Sequence, residues 1–312
     1  MHIDSCRELK YNLARRLPDL GLRPELEPWM GLGLAKRAEG TYSLAVRVTE
    51  AAPVGEVLAR VREEAREEVD IREVGPIVPH RDTGDLRQRR RPLVPGCSVA
   101  HSDVTAGTLG AFVTLGGEPH LLSNNHVLAN SDQGRIGDTV LQPGPADGGQ
   151  NPRDRVATLS ATVELVTDRP NLVDTAAARL TAEVSFDATA YPGGALGKPV
   201  SEAPAEDTVE KVGRTTGHTT GSITAFEVDG LRISYPEGTL TFDDQIEISG
   251  DAGSFSSGGD SGSVIWTRGD RSPVGLLFAG STRGGPDGTG LTYGNLLSTA
   301  LSELGATWIE SP

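Results

Sequence analysis

The strongest constraint on this chain is a short glycine-rich segment, GGDSGS, at residues 258–263. A serine that attacks a carbonyl carbon must sit on a tight turn that exposes its hydroxyl, and glycine tolerates the backbone conformations of such a turn. The amides of Gly259 and Ser261 can then point into one small pocket, where they would stabilise an oxyanion. The segment therefore predicts a nucleophile, Ser261, with its own oxyanion hole, although an ordinary Gly/Ser turn would explain the same letters.

Two further segments predict partners for that nucleophile. The segment LLSNNHVL carries His126 at a polar corner between apolar residues, where a neutral imidazole could act as a general base. The segment NLVDTAAARL places Asp174 before a run of small apolar residues, where a partly buried carboxylate could orient the imidazole. Asp154 and Asp168 are the competing candidates for that role.

The order His126, Asp174, Ser261 along the chain is that of the chymotrypsin-like serine proteases. The C-terminal half also resembles bacterial secreted proteases of the α-lytic and streptogrisin type, through the segments VGRTTGHTTGSITA, GGDSGS and PVGLLFAGS. The motifs SNNHVLA, GRTTG, GDSGS and GLLFAGS are similar to those of bacterial trypsin-like proteins related to the plant Nal1 type. The resemblance covers roughly residues 96–308 and implies a mainly β protein, a chymotrypsin-like double antiparallel β-barrel with the active site between the barrels.

The resemblance implies a serine endopeptidase that hydrolyses peptide bonds through an acyl-enzyme and needs no cofactor and no metal. His126, Asp174 and Ser261 would form the triad, and the amides of Gly259 and Ser261 the oxyanion hole. The expected partner is a protein or peptide substrate, cleaved with narrow specificity or under regulation. The alternative is a protease fold that serves as a catalytically quiescent binding or scaffold module, and ester hydrolysis would use the same acyl chemistry.

The motif register also predicts the pocket for the substrate side chain. Its expected residues are Phe255, Ser256, Gly258, Phe278 and Gly280. Because no acidic residue stands at the base, the resemblance implies a small or apolar substrate side chain rather than arginine or lysine. The backbone of residues 278–280 is expected to pair with an extended substrate as an added strand.

Residues at two places near the site bear on how the triad and the oxyanion loop are held. Phe278 stands where trypsin-like proteases usually carry a serine that binds the triad aspartate, so another group must orient Asp174. The resemblance further implies that Lys211 forms an ion pair with Asp260, which would shape the oxyanion loop without proteolytic activation. A solvated Lys211 is an equally weighted alternative.

The chain divides into three predicted parts. Residues 1–78 are expected to form a small α/β subdomain, residues 79–95 a linker and residues 96–312 the protease domain. Within the first part the patterning predicts helices at 4–17 and 54–69 and strands at 29–35, 42–48 and 69–78. This subdomain could bind a regulatory partner, aid folding or simply cover barrel surface.

Composition excludes several other functions. A net charge of −14 over 312 residues argues against nucleic acid or an anionic membrane as a partner. The only cysteines, Cys6 and Cys97, do not form a disulfide framework, and no metal-ligand spacing is recognisable. No signal peptide or membrane-spanning run is evident, so we expect a cytoplasmic protein. Arginine (25) far outnumbers lysine (4), which is typical of GC-rich bacterial coding sequences.

Overall fold

The structure is a computed structural model. It describes residues 1–20, 30–38, 40–49, 52–74, 85–204, 208–236 and 238–309. Within these residues the α-helices are α1 (Ile3–Arg16), α2 (Gly55–Glu64), α3 (Asn125–Leu128) and α4 (Leu297–Leu304). The strands are β1 (Met30–Ala38), β2 (Thr41–Val48), β3 (Val69–Glu73), β4 (Ser98–His101), β5 (Gly107–Thr108), β6 (Ala111–Leu115), β7 (Glu118–Ser123), β8 (Thr139–Leu141), β9 (Arg155–Thr162), β10 (Ala176–Leu180), β11 (Thr208–Gly213), β12 (Gly217–Asp229), β13 (Leu231–Tyr235), β14 (Gly238–Phe242), β15 (Gln245–Gly250), β16 (Val264–Thr267), β17 (Pro273–Gly284), β18 (Gly290–Leu296) and β19 (Thr307–Trp308).

The C-terminal half contains a closed six-stranded barrel. Its strands follow the order β11-β16-β17-β18-β15-β12, and an antiparallel pairing of β11 with β12 closes the ring. Strand β15 is buried along its whole length because one of its faces lines the barrel while the other is covered by neighbouring elements. Apolar side chains such as Ile246, Ile248 and Ile265 fill this core.

The other half is an eight-stranded sheet in the order β19-β6-β7-β10-β9-β8-β4-β5, which curves into half a barrel. Its core is built from small and branched apolar residues, among them Val99, Leu121, Val140 and Ala178. The predicted class, a mainly β chymotrypsin-like double barrel, is confirmed. The first unit differs in detail from a closed six-stranded barrel, since its sheet has eight strands and includes β19 from the C-terminal region.

The N-terminal residues extend the sheet of the closed barrel. Strand β1 pairs antiparallel with β12, and β2 and β3 continue the sheet outward, with β3 parallel to β2. Cys6 and Leu13 of α1 and Val61 of α2 share one hydrophobic cluster with the barrel residues Ile223 and Ile248. This α/β unit therefore contributes to the core of the barrel as well as covering it.

The predicted elements of this unit are present with shifted bounds. The helix predicted at 54–69 already ends at Glu64, because the chain turns back through Arg66 and Glu67 with φ values of 50° and 65°. The strand predicted at 69–78 is found at Val69–Glu73. Residues 75–78, and residues 79–84 of the predicted linker, lie outside the described residues.

A two-stranded hairpin, β13 and β14, stands between β12 and β15 in sequence and forms its own small sheet. It packs its apolar residues Ile233, Leu240 and Phe242 into a cluster with Phe278 of β17. The hairpin thus lies against the strand that contains the predicted substrate-binding backbone. No helix in the described part of the chain is long and apolar enough to cross a membrane.

Candidate active site

Strand pairing in the half-barrel brings His126 and Asp174 together. Strand β10 is antiparallel to β7 with Ala176 opposite Ser123, so the residues before β10 lie beside those after β7. His126 is in the single turn α3 after β7, and Asp174 precedes β10. The Nδ1 atom of His126 is 2.5 Å from Oδ2 of Asp174, and the backbone N–H of His126 donates to Oδ1 at 3.2 Å.

The Asp174 carboxylate is fully buried and remains the ionised partner. Burial alone would raise the pKa of Asp174, but the charge of His126 and the hydrogen bonds from His126 and Tyr235 outweigh it and hold that pKa below its usual range. The competing aspartates lie elsewhere. Asp154 binds Arg153 at 2.7 Å, and Asp168 is exposed.

The structure identifies a further partner that the sequence did not reveal. The hydroxyl of Tyr235, in β13, donates to Oδ2 of Asp174 at 2.6 Å. The side chain of Asn295 accepts from the backbone N–H of Asp174 at 2.9 Å, and that of Asn124 donates to its carbonyl at 2.7 Å. The phenylalanine at position 278 indicated that another donor was needed, but no local pattern pointed to Tyr235.

The Ser261 loop connects β15 to β16 and is tied to the half-barrel. Thr108 donates its backbone N–H to the carbonyl of Ser261 at 2.8 Å and its hydroxyl to the carbonyl of Gly259 at 2.7 Å. Gly259 and Gly262 have φ values of 90° and 97°, and a Cβ atom at Gly262 would lie 2.1 Å from Oγ of Ser123. The GGDSGS segment therefore needs glycine at both positions.

The backbone N–H groups of Gly259 and Ser261 are those that the sequence predicted for the oxyanion hole. Among the described residues, the N–H groups of Gly259 and Ser261 donate to no other protein atom, which leaves both free for an oxyanion. The Ser261 side chain is buried, and its hydroxyl donates to the carbonyl of Phe278 at 3.3 Å. Within that same part of the chain, no hydrogen bond joins Ser261 to His126.

Asp260 is enclosed by donors on both carboxylate oxygens. Oδ1 accepts from the backbone N–H groups of Thr215 and Thr216 at 2.8 and 3.1 Å. Oδ2 accepts from the N–H of Ser257 at 2.9 Å and from the hydroxyl of Thr216 at 2.6 Å. The GRTTG segment thus fixes the residue that immediately precedes Ser261.

Lys211 lies beside this carboxylate. Both side chains are fully buried, and Nζ of Lys211 is 3.6 Å from Oδ2 of Asp260. The ammonium group also donates to the carbonyl of Gly217 at 2.9 Å and to the hydroxyl of Thr216. Burial lowers the pKa of Lys211, and the nearby Asp260 charge opposes that effect.

The two phenylalanines predicted for the substrate pocket direct their rings into hydrophobic clusters. Phe255 belongs to the cluster that fills the closed barrel, and its carbonyl accepts from the Thr219 hydroxyl at 2.7 Å. Phe278 packs against Phe242 of the hairpin, with ring centroids 4.8 Å apart. The backbone carbonyl of Phe278 accepts from the Ser261 hydroxyl.

The remaining pocket residues are small and neutral. The Ser256 and Thr292 hydroxyls form a buried hydrogen bond of 2.7 Å, and Gly280 lies opposite Thr292 in the pairing of β17 with β18. The carbonyl of Gly258 accepts from Thr215 Oγ1 at 2.6 Å. The residue types present supply neither a carboxylate nor an ammonium group to a bound side chain.

The pairing of β17 changes near Ser261. Residues 277–280 pair with β18 on one side, whereas the pairing with β16 on the other side extends, among the described residues, only as far as Leu276. Residues 278–280 are buried in this conformation, and the Phe278 carbonyl accepts from the Ser261 hydroxyl. The described residues contain no cluster of three or more side chains able to hold a metal ion.

Comparisons with known proteins give the same two resemblances that the motifs predicted. A family model described as the Nal1 C-terminal domain matches residues 200–295. Protease A of Thermobifida fusca is 19% identical with a TM-score of 0.49, and the match covers 70% of this chain and 98% of that chain. The chymotrypsin of Cellulomonas bogoriensis is 22% identical with a TM-score of 0.48, and the match covers 70% of this chain and 98% of that chain. A Nocardiopsis protease is 20% identical with a TM-score of 0.49, and the match covers 69% of this chain and 97% of that chain. No curated protein matches the chain.

Proposed function

We propose that the protein is a serine endopeptidase that cleaves peptide bonds through an acyl-enzyme on Ser261. The observation that carries this proposal is the 2.5 Å contact between His126 Nδ1 and the buried Asp174 carboxylate. An imidazole bound through Nδ1 keeps its Nε2 free to accept a proton, as a general base requires.

The reaction would proceed in two halves. The Ser261 hydroxyl first turns from the Phe278 carbonyl to His126, which takes the hydroxyl proton as Oγ attacks the substrate carbonyl carbon. The N–H groups of Gly259 and Ser261 stabilise the negative charge that develops on the carbonyl oxygen. His126 then passes its proton to the departing amine, and water repeats the sequence on the acyl-enzyme to release the acid.

The substrate would be an extended peptide with a small or apolar side chain at the cleaved residue. The backbone at 278–280, which lies beyond the end of the pairing with β16, would supply hydrogen bonds to such a peptide. The neutral pocket residues Ser256, Gly258 and Gly280 disfavour a charged side chain, because its charge would lose water without gaining a partner.

One observation favours the second candidate, a catalytically quiescent binding or scaffold module. The Ser261 hydroxyl donates to the Phe278 carbonyl, so the nucleophile is not engaged with its base in this conformation. Hydrogen bonds of catalytic groups are often loose before substrate binds, which keeps the endopeptidase as the leading proposal.

The deciding experiment is labelling of the full chain with a fluorophosphonate probe, which reacts with activated serines. We expect labelling of the wild type and its loss in Ser261→Ala and His126→Ala. Ser263→Ala is the matched control, because Ser263 is in the same loop and donates to the Asp260 carbonyl at 2.6 Å. A folded wild type that does not react, judged by its circular dichroism and thermal unfolding, would favour the quiescent module.

A further inference from the structure

The Asp174 carboxylate is held by two titratable side chains from different elements. His126 approaches from α3 and Tyr235 from β13, and both hydrogen bonds end on Oδ2, at 2.5 and 2.6 Å. Asn124 and Asn295 bind only the backbone of Asp174. The Tyr235 hydroxyl is therefore positioned to act directly on the oxygen that orients the imidazole.

The hairpin that carries Tyr235 is bound to the loop that carries Asp174. The backbone N–H of Asn171 donates to the carbonyl of Thr241 at 2.8 Å, and the N–H of Asp243 donates to the carbonyl of Asn171 at 3.0 Å. The Asn171 side chain adds a bond of 3.1 Å to the same Thr241 carbonyl. The hairpin and the Asp174 loop are thus joined by these hydrogen bonds as well as by the Tyr235 hydroxyl.

Aromatic packing connects Tyr235 to Phe278. The rings of Tyr235 and Phe242 are stacked with centroids 6.1 Å apart, and Phe242 contacts Phe278 at 4.8 Å. All three belong to one buried cluster. Phe278, which cannot donate a hydrogen bond to Asp174, instead supports the hairpin whose tyrosine does so.

We propose that Tyr235 is the positioning residue for Asp174, so that this chain uses a Tyr–Asp–His–Ser relay in which a tyrosine hydroxyl from the β13–β14 hairpin replaces the serine missing at position 278. The relay rests on the endopeptidase proposed above. Its chemistry is that of a charge-assisted hydrogen bond, which fixes the orientation of the carboxylate and stabilises its charge.

Removing the hydroxyl has two consequences for the Asp174 carboxylate. The pKa of Asp174 would rise toward its usual range, because the Tyr235 hydrogen bond is one of the contributions that lower it. That range lies far below neutral pH, so the carboxylate stays ionised when the triad reacts. More negative charge would also remain on Oδ2 to stabilise a protonated imidazole, and this second effect means that a higher pH is needed before the triad is in its reactive protonation state.

The test is Tyr235→Phe in the full chain, with the second-order rate of fluorophosphonate labelling measured as a function of pH. Since hydrogen bonds to charged groups contribute more than neutral ones, we expect labelling at pH 7 to slow by about 10- to 100-fold. In the plot of labelling rate against pH, the midpoint of the rise on the acidic side should move upward by about 0.5 to 1 pH unit. Tyr293→Phe is the matched control, because it removes a buried tyrosine hydroxyl that donates to the Glu247 carboxylate at 3.2 Å.

A second measurement does not depend on activity. The His126 Nδ1 proton in a short bond to Asp174 should give a far-downfield proton resonance, which Tyr235→Phe should shift and Tyr293→Phe should leave in place. An unreactive wild type with this shift would reject the endopeptidase and retain Tyr235 as the positioning residue for Asp174. An unchanged midpoint together with an unchanged resonance, or a wild type without the resonance, would overturn the relay.

Discussion

Asp174 and Asp260 are both fully buried carboxylates of the proposed active site, yet they are held in different ways. Asp260 accepts mainly from backbone N–H groups and a threonine hydroxyl, with Lys211 as its nearby counter-charge. Asp174 accepts from the titratable side chains of His126 and Tyr235. Backbone N–H donors to a carboxylate fix the shape of the loop that carries it. Titratable partners instead couple a carboxylate to proton transfer. In the proposed endopeptidase, Asp260 would therefore serve the structure of the loop and Asp174 the chemistry.

The largest expected effect is on reactivity and comes from Asp174→Asn. Asparagine nearly preserves the shape but presents the wrong donor and acceptor to the imidazole, which should lower the rate of fluorophosphonate labelling by about 10⁴-fold. The free energy of unfolding should change by far less than the activation free energy that corresponds to this loss of labelling rate. Asp168→Asn, which changes an exposed aspartate in the same way, is the control. Labelling of Asp174→Asn within tenfold of the wild type would contradict the division of roles.

The second effect is on stability and comes from Lys211→Met. The substitution removes a buried charge and leaves the buried Asp260 carboxylate without its counter-charge, which typically costs about 3–5 kcal/mol. Urea unfolding at pH 7 should show that loss, whereas Lys198→Met at an exposed position should stay within about 0.5 kcal/mol of wild type. If the two variants were equally stable, the backbone N–H donors to Asp260 would be sufficient to stabilise its buried charge without Lys211.

The same comparison shows how far the sequence could predict this molecule. Lys211 and Asp260 could be named through the family resemblance, because Asp260 lies in the GGDSGS motif and Lys211 immediately precedes the VGRTTG motif. Tyr235 could not, because it lies in a hairpin with an ordinary alternating pattern, 61 residues from Asp174. Its role depends on where the hairpin packs, and a single sequence does not encode that packing in any local pattern.

The sequence also left long-range strand pairings of the fold unpredicted. The resemblance to chymotrypsin-like proteases implied a double β-barrel, and that prediction is confirmed. It did not show that β1 would pair with β12, which places Arg47 of β2 in a fully buried pair with Glu247 of β15. An arginine in a predicted strand reads as a surface residue until the facing carboxylate, 200 residues away, is located.

The smallest expected effect concerns acid stability and again separates the two aspartates. Because the pKa of Asp174 is lowered in the folded state, its ionised form contributes to stability fully above the unfolded pKa of about 3.9, and that contribution is lost as the pH falls through the folded value. The asparagine side chain of the Asp174→Asn variant does not titrate. The stability difference between wild type and Asp174→Asn should therefore shift against the wild type between pH 4.5 and pH 3, a window that lies below the ordinary titration range of imidazoles.

Urea unfolding of both proteins at pH 7, 4.5 and 3 measures this shift. Burial raises the pKa values of Glu247 and Asp70, but Arg47 outweighs that effect and lowers both. These two carboxylates are present in both proteins, so their titration cancels in the difference. A difference that stays constant across the three pH values would mean that Asp174 titrates alike in the folded and unfolded chains. The hydrogen bonds from His126 and Tyr235 would then not stabilise its charge, and the contrast with Asp260 would rest on geometry alone.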